Sequence, residues 1–135
     1  MRFLVPAHVS ANLLWIGSIV AVGLLLAKGP GDARMRGEAG RLVYRTLSIP
    51  AFVISFVLGF VKLAEDPTFY LRTTHFMHLK LTLAFVVIAI HHVLGARARK
   101  MAEGKAEDGG PAWLLSLALL AAATGAAIVA VLKPF

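Results

Sequence analysis

Four long apolar segments, separated by short polar stretches, dominate the pattern of this chain. Residues 3–27 carry no Asp, Glu, Lys or Arg, and three further apolar segments follow at about 42–63, 74–96 and 111–132. About 20 apolar residues in a helix cross the ~30 Å hydrocarbon core of a bilayer. The pattern therefore predicts four transmembrane helices.

The connections between these segments are short, which favours antiparallel neighbours. The sequence therefore predicts an all-α integral membrane protein, a single domain over 1–135 folded as an up-down-up-down bundle. A cleaved signal peptide is a weaker interpretation of the first segment, since its apolar stretch is too long and Lys28-Gly29-Pro30 offers no cleavage pattern.

Composition supports a membrane protein. Hydrophobic side chains make up 59% of the 135 residues, more than a soluble fold of this size buries. The chain has no cysteine, which excludes disulfides, thiolate metal sites and a cysteine nucleophile. The formal net charge of +7 is more typical of membrane topology than of nucleic-acid binding, because the basic residues cluster in the connections.

The basic residues are distributed unequally between the two ends of the predicted bundle. The end with the connections after segments one and three carries nine of them: Lys28, Arg34, Arg36, Arg41, Arg45, Arg97, Arg99, Lys100 and Lys105. The opposite end carries four: Arg2, Lys62, Arg72 and Lys133. By the positive-inside rule, loops 28–41 and 97–110 are predicted to be cytoplasmic, with both termini outside, in the cell (inner) membrane.

Ionisable side chains within a membrane span are costly to bury, so each is a candidate for function. In the first segment His8, Asn12 and Trp15 recur at i, i+4 and i+7, which places them on one helix face. Trp15 lies mid-span rather than at the membrane interface, where tryptophan is usual. This face is predicted to bind a ligand.

The second and third segments add further candidates. Arg41 and Arg45, at the basic end, either anchor the helix to lipid head groups or bind a carboxylate. The third segment holds a group of basic and imidazole side chains: His75, His78, Lys80, His91 and His92. His8 and His78 are expected at comparable depth on neighbouring helices, where they could hold one ligand between them.

Neutral imidazoles inside a helix bundle suit a metal. Haem fits because its flat macrocycle can lie between helices and take an axial histidine. Copper is an alternative, since Met77, His75 and Met1 offer soft ligands near His78. The sequence has no phosphate-binding glycine loop, no paired carboxylates within a span and no nucleophile triad.

Several motifs follow one another in an order that resembles the HemJ-type protoporphyrinogen IX oxidases, small four-helix haem-binding membrane proteins. The first helix has His8, then Trp15 seven residues later and Gly17. The second has Arg41-Leu-Val-Tyr-Arg45 leading to Pro50 and Gly59, and the third has His78-Leu-Lys80-Leu followed by His91-His92. The resemblance covers roughly residues 8–100.

This resemblance implies a b-type haem and the six-electron oxidation of protoporphyrinogen IX to protoporphyrin IX in haem biosynthesis. A quinone or another acceptor would take the electrons. His8 would be the axial ligand and His78 the second, with Asn12 and Trp15 beside the cofactor. The cations that would bind propionates or substrate carboxylates are Lys80, Arg41 and Arg45.

One motif of the family is missing here. The family has an arginine after the first-helix tryptophan, whereas this chain has no charge between Trp15 and Lys28. A non-catalytic haem or copper protein, similar to the CopD-type copper-resistance proteins with their His-x6-Trp-x-Gly first helix, is therefore the alternative. A structural partner of a larger membrane complex is a third possibility, and the oligomeric state, a homo-oligomer included, is left open.

Overall fold

The structure, a computed structural model, describes residues 2–133 and is helical with no strand in that range. Two π-helical segments, Tyr44–Ser48 and Phe69–Thr73, interrupt the α-helices. The α-helices in chain order are α1 (Leu4–Lys28), α2 (Ala33–Val43), α3 (Ile49–Glu65), α4 (Phe76–Ala102) and α5 (Ala112–Leu132).

Four helices are long and apolar enough to cross a membrane. They are α1, α4, α5 and the continuous 33-residue helix Ala33–Glu65, which α2 and α3 form together through the first π segment. Many of their large apolar side chains face outward, such as Leu13, Phe85 and Val131, which are 72%, 74% and 79% exposed. Such a surface needs lipid around it. The prediction of an all-α, four-helix membrane bundle is confirmed.

Three of the four membrane-spanning helices end beyond the predicted spans, whereas α5 keeps to its predicted span. The second begins at Ala33, well before the predicted start of its span, because the Asp32 side chain caps it by accepting a 2.9 Å hydrogen bond from the Met35 amide. At ~1.5 Å per residue, the 33-residue helix is about 50 Å long. That is longer than the ~30 Å hydrocarbon core, so one end projects into the head-group region or beyond it.

Pro50 accounts for the π-helical segment Tyr44–Ser48. A proline has no amide hydrogen to offer the preceding turn, and its ring crowds the carbonyl four residues earlier. The wider turn relieves this crowding, and the Ile49 amide donates to the Tyr44 carbonyl five residues back. The helix therefore continues through Pro50 into α3.

α1 and α4 form the centre of the bundle. α1 packs against α2, α3 and α5, and α4 packs against α2 and α5. The fully buried side chains at these contacts include Ile19, Val22 and Leu26 of α1, Leu94, Ala98 and Met101 of α4, and Leu119 of α5. A side chain at Gly37 would overlap the α4 backbone at Ala102, so this glycine allows α2 to contact α4 directly.

Candidate functional site

A closed set of hydrogen bonds joins His8 and Asn12 of α1 to Ser55 of α3. His8 Nδ1 lies 2.9 Å from the Ser55 carbonyl oxygen, which can only accept, so Nδ1 carries the proton. Asn12 Nδ2 then donates to His8 Nε2 over 3.1 Å, and the Ser55 hydroxyl donates to Asn12 Oδ1. The three residues fix one tautomer of His8, in which the lone pair of Nε2 accepts from the Asn12 amide.

Two sequence features create this arrangement. His8 and Asn12 are four residues apart and lie on one face of α1, as the i, i+4 spacing predicts. On α3, Ser55 and Gly59 have the same spacing and face them. A β-carbon at Gly59 would lie 2.9 Å from His8 Cε1, so the glycine provides the space that the imidazole occupies.

Lys80 of α4 is the cation whose charge acts on this imidazole. Its ammonium interacts with His8, although the two lie on different helices. The side chain is half-buried, and over residues 2–133 no carboxylate lies within ion-pair distance of it. An unpaired cation inside a span is costly. Lys80 is therefore a candidate for binding an anionic group beside His8.

Trp15, predicted beside the cofactor with His8 and Asn12, faces a different partner. Its indole Nε1 donates a 3.1 Å hydrogen bond to Nδ1 of His91 on α4. His91 is 1% exposed, and three rings from other segments of the chain surround it, with centroids at 4.9 Å (Tyr44), 4.9 Å (Phe52) and 5.8 Å (Trp15). The structure therefore contains a buried aromatic cluster around His91 that is separate from the His8 hydrogen bonds.

The sequence pointed to His91 only as one of a pair with His92. The helix turns 100° between neighbours, so one member of the pair faces inward and the other outward. His91 is buried, whereas His92 is exposed and its Nδ1 pairs with the Ile88 carbonyl at 2.9 Å. The mid-span position of Trp15 was the one signal for a buried polar partner, because an indole N–H inside a bundle needs an acceptor.

The hydrogen bonds also determine which histidines can bind a metal as a neutral imidazole. His91 Nδ1 accepts from the buried Trp15, so its proton is on Nε2 and its lone pair is held inside the bundle, whereas the lone pair of His8 is held by the half-buried Asn12. His78 Nε2 donates to the Leu71 carbonyl at 2.9 Å, which leaves its Nδ1 free on an exposed side chain. His8 and His78 can both act as ligands, but in the structure they contact different neighbours, α3 and the second π segment.

Arg41 and Arg45 lie at the other end of the bundle, in a groove of about 300 Å³ between the first π segment and α4. We call this the arginine groove; its lining residues are Arg41, Tyr44, Arg45, Ile49, Gly95, Ala96 and Arg99. A side chain at Gly95 would overlap the Tyr44 ring, so the glycine lets the tyrosine lie against α4. Arg99 is a third arginine of this groove and lies outside the sequence motif that contains Arg41 and Arg45.

The arginine groove and the His8 site are far apart. Gly95 in the groove and Lys80 near His8 are both on α4, fifteen residues apart in the sequence, or about 22 Å along the helix axis. One carboxylate cannot contact both Lys80 and Arg45. The three cations grouped together by their sequence chemistry are thus divided between two sites.

The described part of the chain contains no group of three His, Asp or Glu side chains placed to hold a bare metal ion. A haem differs because its porphyrin supplies four ligands and the protein needs to supply only one or two. Comparison with protein-family models, with curated proteins and with solved structures gave no match to this chain.

Proposed function

We propose that this chain is a haem-binding membrane oxidoreductase that oxidises protoporphyrinogen IX to protoporphyrin IX. The motif order from His8 to His92 supports this proposal through its resemblance to the HemJ-type oxidases. The observation that carries it is the hydrogen-bonding state of His8. A metal-binding histidine typically donates its second ring N–H to a carbonyl or carboxylate, as His8 does to Ser55.

The residues around His8 fit a haem ligand. Nδ1 is protonated and held by the Ser55 carbonyl, so Nε2 is the nitrogen available to iron. Asn12, which bonds this nitrogen in the structure, would move aside when a ligand takes its position. Haem, when bound, would supply a one-electron acceptor; His78, with a free Nδ1, stays the proposed second ligand.

Lys80 is the residue proposed to bind substrate at this site. The substrate is a tetrapyrrole with two carboxylates, and an ammonium beside His8 would hold one of them and orient the macrocycle. The reaction removes six electrons and six protons, which a quinone or another acceptor would take up. Arg41 and Arg45 are too distant to share that carboxylate, and their proposed role with propionates or substrate stays a prediction.

The proposed location is the cell (inner) membrane, with residues 28–41 and 97–110, predicted as loops but partly helical, in the cytoplasm. The nine basic residues at that end support this orientation, since positively charged loops are retained on the cytoplasmic side. His8 and Lys80 then lie toward the outer leaflet, and the arginine groove lies at the cytoplasmic interface.

An optical spectrum of the purified protein tests the cofactor. After expression with ample haem, wild-type protein should show a Soret band, and His8→Ala should lose most of it while remaining folded. His92→Ala is the matched control, because this exposed imidazole has a free Nε2 but lies outside the His8 site. A colourless, folded wild type would disprove the haem proposal.

A non-catalytic haem or copper binding protein is the second candidate function. The observation that favours it is the uncharged stretch between Trp15 and Lys28, where the resembled family has an arginine. Complementation of a strain that lacks protoporphyrinogen oxidase separates the two functions. Protein that binds haem but neither rescues this strain nor oxidises the porphyrinogen in vitro would be a carrier. Copper binding without a Soret band would indicate the CopD-like function.

A further inference from the structure

Three arginines from three separate segments meet in the arginine groove. Arg41 lies in the last turn of α2, Arg45 belongs to the first π segment and Arg99 lies near the end of α4. A guanidinium presents several N–H donors in one plane, a geometry that matches the oxygens of a phosphate. We propose that this groove binds the phosphodiester head group of an anionic phospholipid of the phosphatidylglycerol type.

The charge of the groove is largely uncompensated. Within the described range 2–133, neither Arg45 nor Arg99 has a carboxylate within ion-pair distance, and Arg41 reaches Glu103 only at 4.0 Å. Lys105 also pairs with Glu103, at 3.0 Å. The hydrogen bond from Lys105, together with the positive charges nearby, lowers the pKa of Glu103 from its usual value. Glu103 is therefore a carboxylate at neutral pH, and one anion still faces three arginines.

The position of the groove in the bundle suits a lipid head group. The helix that carries Arg41 and Arg45 is about 50 Å long and extends past the ~30 Å hydrocarbon core, with the charged α2 at its projecting end. The groove lies where α2 gives way to the apolar α3. Ile49 and Ala96 form its apolar part. With its phosphate on the arginines, a lipid would place an acyl chain against these apolar side chains. A small soluble anion would not gain this apolar contact.

A second groove, on the other side of α4, differs from the arginine groove because its arginine is already paired with a carboxylate of the protein. It measures about 330 Å³ and contains Arg97 and Lys100. The guanidinium of Arg97 is hydrogen-bonded within the protein: it donates to Asp108 Oδ1 at 2.8 Å and to the Asp108 carbonyl at 2.9 Å. The arginine groove has no such internal anion on Arg45 or Arg99, so both guanidinium groups keep donors available for a ligand.

Basic residues at a membrane surface also attract anionic lipids without forming a site, by about 1 kcal/mol each. A matched pair of variants separates diffuse attraction from a site. Arg45→Gln removes a charge in the groove. Arg34→Gln removes the same charge from an exposed position on α2, where Arg34 pairs with Glu38 at 3.4 Å. Diffuse attraction predicts equal losses for the two variants, whereas a site predicts a larger loss for Arg45→Gln.

The test uses the purified full chain in a neutral detergent. Native mass spectrometry and thermal unfolding would follow the addition of phosphatidylglycerol, phosphatidylcholine or inorganic phosphate. Phosphatidylglycerol alone should bind as one retained lipid per chain and raise the unfolding temperature. Arg45→Gln should weaken this binding at least ~5-fold, the equivalent of about 1 kcal/mol, and Arg34→Gln should leave it within ~2-fold. Arg99→Gln, on another helix, repeats the test if Arg45→Gln does not fold.

Three results would overturn the proposal. Equal losses for Arg45→Gln and Arg34→Gln would mean diffuse attraction. Stabilisation by inorganic phosphate to the same extent as by phosphatidylglycerol would mean a soluble phosphate compound is the ligand. Displacement of the bound lipid by protoporphyrin would mean that the groove serves tetrapyrrole carboxylates. None of these results depends on whether His8 binds haem.

Discussion

Trp15 and His91 are 76 positions apart in the chain and are joined by a 3.1 Å hydrogen bond from the indole Nε1 to the imidazole Nδ1 in the buried interior. The bond links α1 to α4, the two central helices of the bundle. It also fixes the proton of His91 on Nε2. The most buried histidine of the chain is therefore a structural partner of Trp15, whereas the histidine proposed to bind a ligand is His8.

Removal of the indole donor should destabilise the bundle. Trp15→Phe keeps an aromatic ring but leaves His91 Nδ1 without its donor, and we expect a loss of about 1–2 kcal/mol in the free energy of unfolding in detergent. Trp113→Phe is the control, since Trp113 is 36% exposed and should cost less than about 0.5 kcal/mol. Equal stability of the two variants would contradict a role for the Trp15–His91 bond.

A side chain at Gly59 should disturb the proposed haem site while leaving the ligand residue His8 unsubstituted. The added carbon of Gly59→Ala would lie 2.9 Å from His8 Cε1, so the imidazole must shift from its position on the Ser55 carbonyl. We expect a shifted or weakened Soret band. Gly17→Ala, on the same helix as His8 but with no atom within 4 Å of the new carbon, should leave the spectrum unchanged. Identical spectra for the two variants would contradict the proposal that His8 is a haem ligand.

Lys80→Met should separate haem binding from turnover. An ammonium is not a haem ligand, so the haem spectrum should persist, while oxidation of protoporphyrinogen should fall at least ~10-fold because a charge-assisted hydrogen bond to substrate is lost. Lys28→Met removes an equal charge from an exposed position at the end of α1 and should be nearly silent. If Lys80 only extends to the membrane surface, both variants would retain activity in the complementation assay.

The orientation in the membrane can be measured by cysteine labelling, because the natural chain has no cysteine. Glu107→Cys and Thr68→Cys place one thiol each at exposed positions on opposite ends of the bundle. An impermeant maleimide added to intact cells should label the Thr68 variant and not the Glu107 variant. The reverse pattern would place His8 toward the cytoplasm and the arginine groove outside.

The spans and the His8 face were predictable because each depends on local spacing. Uncharged runs of sufficient length define the four spans, and the i, i+4 spacing of His8 and Asn12 places both on one face of α1. The long-range partners were not predictable. Nothing local to Trp15 indicates that its acceptor is His91 rather than His92. The charged, glycine-containing sequence of α2 is typical of a loop, and only the contact of Gly37 with α4 explains why it is helical and packed.

The sequence also did not indicate that Lys80 lies at a different site from Arg41 and Arg45. All three are cations near span ends, and their chemistry alone makes them equivalent. They lie at different depths along the bundle, since fifteen residues of α4 separate Lys80 from the groove at Gly95. Arg99 joins the groove because it lies one turn beyond Gly95 on the same helix, a relation that becomes informative only once Tyr44 and Gly95 are known to be in contact.

The π turn before Pro50 changes the direction in which the side chains of α3 point relative to those of α2. A π turn contains an extra residue without adding a full α-helical turn, so it offsets the faces of α2 and α3 by about 100° relative to an uninterrupted helix. With that offset, Tyr44 lies against Gly95 while Ser55 still faces His8. The chain thus uses one inserted residue to align two unrelated sites on a single helix, each with its own neighbour.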